Sequence, residues 1–205
     1  MLNAVIGAAL CSFAKLITGV RPVWQAQPPE GQCVFFANHR SHGDFLLIWA
    51  ALPAVRRVHT RPVAGADYWL RGALRRYVAQ DVFRAVLIER NGRAASSDPV
   101  GQMAAALSGG DSLIVFPEGT RNLGDGLLPF KSGIYHLAAA NPQVEFVPVW
   151  IENLGRVMPK GALIPVPLLC TLSFGPALRL ADGEGKREFL DRAQAALAAL
   201  APPEG

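Results

Sequence analysis

Short apolar, strand-like runs recur along this chain at Cys33–Ala37, Ala85–Ile88, Ser112–Phe116, Phe146–Ile151 and Leu169–Phe174, with a weaker one around Val58–Val63. Helical patterns lie between or after them, at Phe45–Leu52, Tyr68–Ala79, Val100–Leu107, Ser132–Ala140 and Lys186–Leu200. The last carries Phe189, Leu190, Ala193, Leu197 and Leu200 on one stripe and stops before Pro202. Such alternation predicts an α/β layered fold: a mostly parallel mixed sheet flanked by helices.

At 205 residues the chain is expected to form one domain with a core that needs neither disulfides nor metal. Residues 21–200 would be that domain and 201–205 a frayed tail. The stretch Gly155–Pro167, rich in Gly and Pro, reads as an irregular loop inside it. Cys11, Cys33 and Cys170 are odd in number, far apart and in apolar settings, which points to a reducing compartment. Hydrophobic residues make up 51% and charged ones 18%, a greasy balance for a chain that meets only water.

Residues 1–20 hold the first candidate contact with something apolar. Met1 to Ala14 is apolar apart from Asn3 and Ser12, and Lys15 ends the run, short of the roughly 18 residues a spanning helix needs. The basic start of a signal peptide is missing. A short N-terminal helix lying in a membrane interface fits the pattern, and a helix packed on the domain fits it equally. Charge is uneven too: Arg56 to Arg93 holds nine arginines against Asp67, Asp81 and Glu89, while the rest is net negative. Arginine's planar fork suits phosphate oxygens, so an anionic lipid, a phosphorylated substrate, an acidic protein or nucleic acid would each fit as the partner. In the helix expected over Tyr68–Ala79, Trp69, Leu70, Ala73, Leu74, Tyr77 and Val78 share one face, with Arg71, Arg75 and Arg76 elsewhere.

Three of the apolar runs lead straight into polar strings. After Cys33–Ala37 comes Asn38-His39-Arg40-Ser41-His42-Gly43-Asp44; after Ala85–Ile88, Glu89-Arg90; after Ser112–Phe116, Pro117-Glu118-Gly119-Thr120-Arg121. In a parallel sheet those strand ends share one edge, where α/β proteins bind their ligands. His39 is a candidate base and Asp44 the carboxylate that would fix its tautomer. Arg90 and Arg121 suit a phosphate, and Lys131 precedes a helix start at Ser132-Gly133. A Gly-x-Ser-x-Gly elbow, a P-loop and a Gly-x-Gly-x-x-Gly signature are all absent. A base without a protein nucleophile implies that the substrate brings the attacking hydroxyl. The rival reading of His39, His42 and Asp44 as metal ligands lacks a fourth ligand and a standard zinc spacing.

These residues resemble the 1-acylglycerol-3-phosphate acyltransferases of the glycerolipid acyltransferase superfamily. Asn38, His39 and Asp44 match the family's Asn-His-x-x-x-x-Asp, and Phe116–Arg121 match Phe-Pro-Glu-Gly-Thr-Arg in full. Pro129–Gly133 and Val147-Pro148-Val149 also look like family strings, and the likeness runs from about Gly19 to Phe174. The second motif departs: Gly-x-x-Phe-Ile-x-Arg stands here as Arg84 to Arg90, with Arg84 for glycine and Leu87 for phenylalanine.

The resemblance implies His39 as general base oriented by Asp44. Arg90 and Arg121 would bind the acceptor's phosphate, Glu118 and Gly119 would position its glycerol, and Pro148 would shape the site. The donor would be acyl-CoA or acyl-acyl carrier protein, with no metal or tightly held cofactor. The work would be done peripherally or monotopically at the cytoplasmic face of an anionic membrane. The competing readings are an acyltransferase with another lysophospholipid or lyso-aminolipid acceptor, and a non-catalytic module binding lipid or nucleic acid. The second has no use for His39, Asp44 and Glu118 at strand ends, and nucleic acid is not expected as a partner.

Overall fold

In the computed structural model, which describes residues 2–41, 43–89, 98–122, 124, 126–152 and 169–202, the apolar runs pair into one sheet. Its strands are β1 (Arg21–Trp24), β2 (Cys33–Ala37), β3 (Thr60–Gly65), β4 (Val86–Ile88), β5 (Ser112–Val115), β6 (Glu145–Ile151) and β7 (Thr171–Phe174). Their order across the sheet is β1-β7-β6-β2-β5-β3-β4. From β6 to β4 all neighbours are parallel; β7 turns antiparallel to β6, and β1 runs parallel to β7. The expected mostly parallel mixed sheet is therefore present.

β2 lies at the centre, and every one of its residues is buried. Strands of such a sheet are covered on both faces, which is why they read as unbroken apolar runs. Cys33, Phe35 and Ala37 face one core with α1 (Leu2–Thr18), α2 (Asp44–Ala51) and a π-helical turn, Val78–Val82. Val34 and Phe36 face the other, with α6 (Pro99–Ser108), α7 (Gly133–Ala140) and α8 (Lys186–Ala198). The result is three layers, helix on sheet on helix. Short helices α3 (Ala54–Arg57), α4 (Ala66–Trp69) and α5 (Ala73–Tyr77) complete the described residues.

Local chemistry sets several boundaries. Asp98 caps α6 by accepting from the Gly101 amide at 2.8 Å, with Pro99 at the first helical position. At the start of α8, Glu188 reaches back to the Gly185 amide (3.0 Å), and Arg192 grips Glu184 through two bonds of 2.7 and 2.6 Å. The Arg192 contact holds the Glu184 carboxyl below its usual range.

Two expectations need correction. The single helix over Tyr68–Ala79 is broken into α4, α5 and the π turn, because Gly72 sits at φ +95°, a left-handed conformation no helix interior tolerates. Leu74, grouped on that helix's apolar face, is 74% exposed. The edge strand β1 was not foreseen: its sequence Arg-Pro-Val-Trp is mostly exposed, and beyond the backbone pairing with β7 it brings in only Trp24, whose ring stacks on Phe174 at 4.1 Å. The Gly155–Pro167 stretch and Arg90 lie outside the described residues.

α1 buries its small residues Gly7, Cys11, Ala14 and Thr18, and a Cβ on Gly7 would stand 3.1 Å from the Trp49 ring. Ile6, Leu10 and Ile17 pack against the same core. Four other large residues face outward: Leu2, Val5, Phe13 and Leu16, the last 81% exposed. Among the described residues no helix is long and apolar enough to cross a membrane.

Candidate active site

β2 and β5 are parallel neighbours in which Phe36 pairs with Val115. The strings after them, Asn38–Asp44 and Phe116–Arg121, therefore emerge side by side. Asn38 makes the exit rigid: its side chain donates to the Ile151 carbonyl at 3.0 Å and accepts from the Ile151 amide at 2.7 Å. That fork ties the end of β2 to β6 as one more rung of backbone would.

His39 follows, with Nδ1 2.8 Å from Asp44 Oδ2. A carboxylate only accepts, so Nδ1 carries the proton and Nε2 keeps its lone pair. Asp44 opens α2 and is 1% exposed. The same oxygen also accepts from the amides of Arg40 (2.7 Å) and Ser41 (2.9 Å). Three donors therefore converge on one oxygen at the helix N-terminus. The Phe116 ring lies flat on the imidazole, centroids 4.2 Å apart at 21°. The imidazole is thus oriented from its edge by Asp44 and from its face by Phe116.

His39 stands in the wall of a cavity of about 720 Å³. Gly119, Arg121 and Lys131 line it on the β5 side; Asp67, Tyr68 and Arg71 line it on the β3 side. Val63 and Ile88 of the sheet, Val100 and Met103 of α6, and Ile134 and Leu137 of α7 add an apolar lining. The wall thus combines a base, three cations (Arg71, Arg121 and Lys131), the carboxylate of Asp67 and a large share of hydrocarbon. Glu89, from the second string, also reaches the cavity wall.

Of the expected site residues, His39, Asp44, Gly119, Arg121 and Lys131 are brought together, and Arg90 falls outside the described residues. Two differ from expectation. Glu118 is 2% exposed and does not line the cavity; its oxygens accept from the amides of His39 and Leu128, both at 2.9 Å. A carboxylate buried behind the wall does not face a glycerol in the cavity. Pro148 is likewise absent from the wall; it lies buried in β6, its ring against Gly175. Its carbonyl accepts from Gly175, so the donor it lacks would face β7 just past that strand's end, where the ladder needs none. The metal reading rests partly on His42, which lies outside the described residues.

Sequence reasoning missed the stacking of Phe116 and the apolar lining of the cavity. The second had no signal, because Val63, Met103 and Leu137 read as ordinary core.

A family model described as Acyltransferase matches residues 23–152. The chain is 30% identical over 132 residues to the 1-acyl-sn-glycerol-3-phosphate acyltransferase of Haemophilus influenzae, covering 61% of this chain and 50% of that one. Against the 1-acyl-sn-glycerol-3-phosphate acyltransferase alpha of Mus musculus it is 31% identical over 161 residues, 74% of this chain and 52% of the relative. The chain therefore spans about half the length of the curated relatives it matches. Among solved structures it is similar to the 1-acyl-sn-glycerophosphate acyltransferase PlsC from Thermotoga maritima. The TM-score is 0.72 at 19% identity, over 97% of this chain and 79% of that one. At that identity the likeness is one of fold.

Proposed function

The chain belongs to the acyltransferase family, and from that premise we propose that it moves an acyl group from an acyl thioester to the 2-hydroxyl of a 1-acylglycerol 3-phosphate, giving phosphatidic acid. The observation that carries this reading is the His39–Asp44 pair set at a cavity whose wall combines Arg121 and Lys131 with many apolar side chains. A lysophosphatidic acid acceptor and a fatty thioester present that combination of phosphate and hydrocarbon. The relatives at about 30% identity are named for this acceptor.

In the proposed reaction His39 Nε2 takes the proton of the acceptor hydroxyl as its oxygen bonds to the thioester carbonyl carbon. Asp44 steadies the imidazolium that results. The tetrahedral intermediate collapses, the carbon–sulfur bond breaks, and the thiolate leaves with the proton from His39. No covalent acyl-enzyme forms, and the reaction requires neither metal nor cofactor. Arg121 and Lys131 hold the acceptor's phosphate at the cavity wall, with Arg90 as a further phosphate ligand. The acyl chain takes the apolar lining. Either coenzyme A or acyl carrier protein serves as donor, both being acidic.

The enzyme would act on the cytoplasmic face of a membrane, bound peripherally. The outward Leu2, Val5, Phe13 and Leu16 of α1 support this placement, since four large apolar side chains exposed on one helix suit an apolar neighbour.

The test is to incubate the purified chain with a labelled acyl thioester and a panel of lysophospholipids. Labelled phosphatidic acid is the expected product. Transfer only to an acceptor lacking a terminal phosphate would move the assignment to another lysophospholipid, and no transfer at all would overturn it.

A further inference from the structure

Glu118 has both oxygens on backbone amides, and the two amides belong to different loops. Oε1 accepts from His39, 79 residues away in sequence, and Oε2 from Leu128, ten residues away. The carboxylate is 2% exposed, and ionised oxygens so deeply buried are retained only where strong donors meet them. What they meet here is the peptide of His39 itself. The carbonyl of His39 is held from the same side, accepting from the Asn122 amide at 2.7 Å. The loop after β5 thus grips His39 by its backbone N–H, its backbone C=O and, through Phe116, its ring.

The second amide extends the effect. By holding Leu128, Glu118 closes the segment that carries Gly119 and Arg121 back onto its own start. Lys131 is tied in next to it, its amide donating to the Pro117 carbonyl at 2.9 Å. One buried carboxylate therefore sets where the imidazole stands and where the cationic wall stands opposite it.

We infer that Glu118 is a positioning residue for the base: it fixes the distance between His39 and the Arg121–Lys131 wall by bridging the His39 and Leu128 amides, and it does not touch the acceptor. The inference rests on the acyl-transfer reading in which His39 is the base. Glu118 is buried and outside the cavity wall, so a hydroxyl of the acceptor would meet its oxygens only if the loop moved. Displacement of a reacting group by about 1 Å costs on the order of 100-fold in rate.

The experiment compares Glu118→Gln and Glu118→Asp with the unaltered chain. Glutamine offers one accepting oxygen, and its NH2 would face an amide N–H, so one bridge is lost. Aspartate is a methylene too short to span both. In each, kcat should fall more than about tenfold while the KM for lysophosphatidic acid stays within about threefold. NMR of the labelled imidazoles in the full chain gives a reading that needs no substrate: the His39 ring signals and their titration should shift in both variants. A raised KM with unchanged kcat would make Glu118 an acceptor ligand and overturn the inference. Unchanged His39 signals in both variants would overturn it whether or not the chain proves active. If the unaltered chain transfers no acyl group, the proposed function fails alone, and the ring titration still decides the role of Glu118. Should Glu118→Gln not fold, Glu118→Asp, which keeps the charge, carries both readouts.

Discussion

The stem of Lys131 crosses directly over the Cα of Gly119: a Cβ added there would lie 2.7 Å from both Cδ and Cε of the lysine. Gly119 is also at φ +68°, in the left-handed region. Both facts reserve the position for glycine. The residue shapes the cavity by what it lacks, leaving room for a cation to lie against the turn.

Gly119→Ala should therefore act mainly through Lys131. The left-handed conformation costs alanine about 1 kcal/mol of stability, a drop of a few degrees in Tm. The lysine end is flexible and will swing aside, so the KM for a phosphorylated acceptor should rise more than the melting temperature falls. Steady-state kinetics and a thermal melt on the same sample separate the two. An unchanged KM would show that Lys131 does not meet the phosphate from this position.

Asp44 offers a cleaner separation of charge from geometry. Its Oδ2 takes all three bonds, and Oδ1 is buried with no partner among the described residues. In Asp44→Asn the amide oxygen can keep the three donors while the NH2 takes the place of Oδ1. The fold should hold, yet the charge that steadies the imidazolium is gone, and kcat should fall about 100-fold or more, as in His39→Ala. Asp44→Ala would lose stability as well. Should Asp44→Asn retain more than about a tenth of kcat, His39 does not depend on that charge and the base assignment weakens.

Arg84 marks where the second motif departs from its family. It is at φ +52°, the one non-glycine with positive φ among the described residues, and its guanidinium reaches Asp111 at 3.1 Å. The motif's glycine would sit there without strain; here an arginine carries the strain and gains an ion pair. Arg84→Gly relieves about 1 kcal/mol of backbone strain. It forfeits a half-exposed pair worth about 0–1 kcal/mol. The urea midpoint should hardly move. Asp111→Ala should cost more, about 1–3 kcal/mol, because it removes the buried acceptor of both Arg61 and Arg84. If Arg84→Gly were the worse of the two, the ion pair would outweigh the strain.

Legibility in the sequence followed burial. β2 and β5 were readable because both faces are covered, so every position but Ser112 is apolar. β1 was not, because three of its four residues face solvent and only Trp24 packs inward, on Phe174. The Tyr68–Ala79 pattern misled because its apolar spacing passes through Gly72, whose left-handed φ depends on how the chain rounds the sheet edge. His39 and Asp44 were legible as a pair since five positions separate strand end from helix start, a distance set by the local chain. Glu118 was not: whether a carboxylate in a loop turns to substrate or to a backbone amide 79 residues away is settled only by packing.

Burial also predicts how the chain meets alkali. Burial pushes the Cys33 and Cys170 thiols up to about 11 from an ordinary 9.0. Between those values the unfolded chain ionises its thiols and the folded one does not. Stability is thus intact below pH 9 and falls as pH rises toward 11. Urea midpoints at pH 8 and pH 10 should show the loss, and Cys33→Ala should flatten it by about 1 kcal/mol at pH 10. At pH 8 a thiol reagent should find Cys33 and Cys170 unreactive until denaturant is added. Rapid labelling of the native protein would mean the core opens there.

Membrane attachment turns on which of two surfaces dominates. α1 presents Leu2, Val5, Phe13 and Leu16 outward, and Tyr77 ties its start to α5 through a 2.6 Å bond to Asn3. Beyond that tie, Leu74 is exposed beside Arg75 and Arg76. Apolar side chains and arginines therefore share one region, and each basic residue near an anionic bilayer adds about 1 kcal/mol, screened by salt. Flotation with anionic vesicles separates the contributions. Phe13→Glu with Leu16→Glu should weaken binding at every ionic strength, whereas Arg75→Glu with Arg76→Glu should weaken it at low salt only. The combined variant should remain with the soluble fraction. Undiminished binding by the Phe13, Leu16 pair would return α1 to the role of a packed helix, its outward residues without a partner in the bilayer.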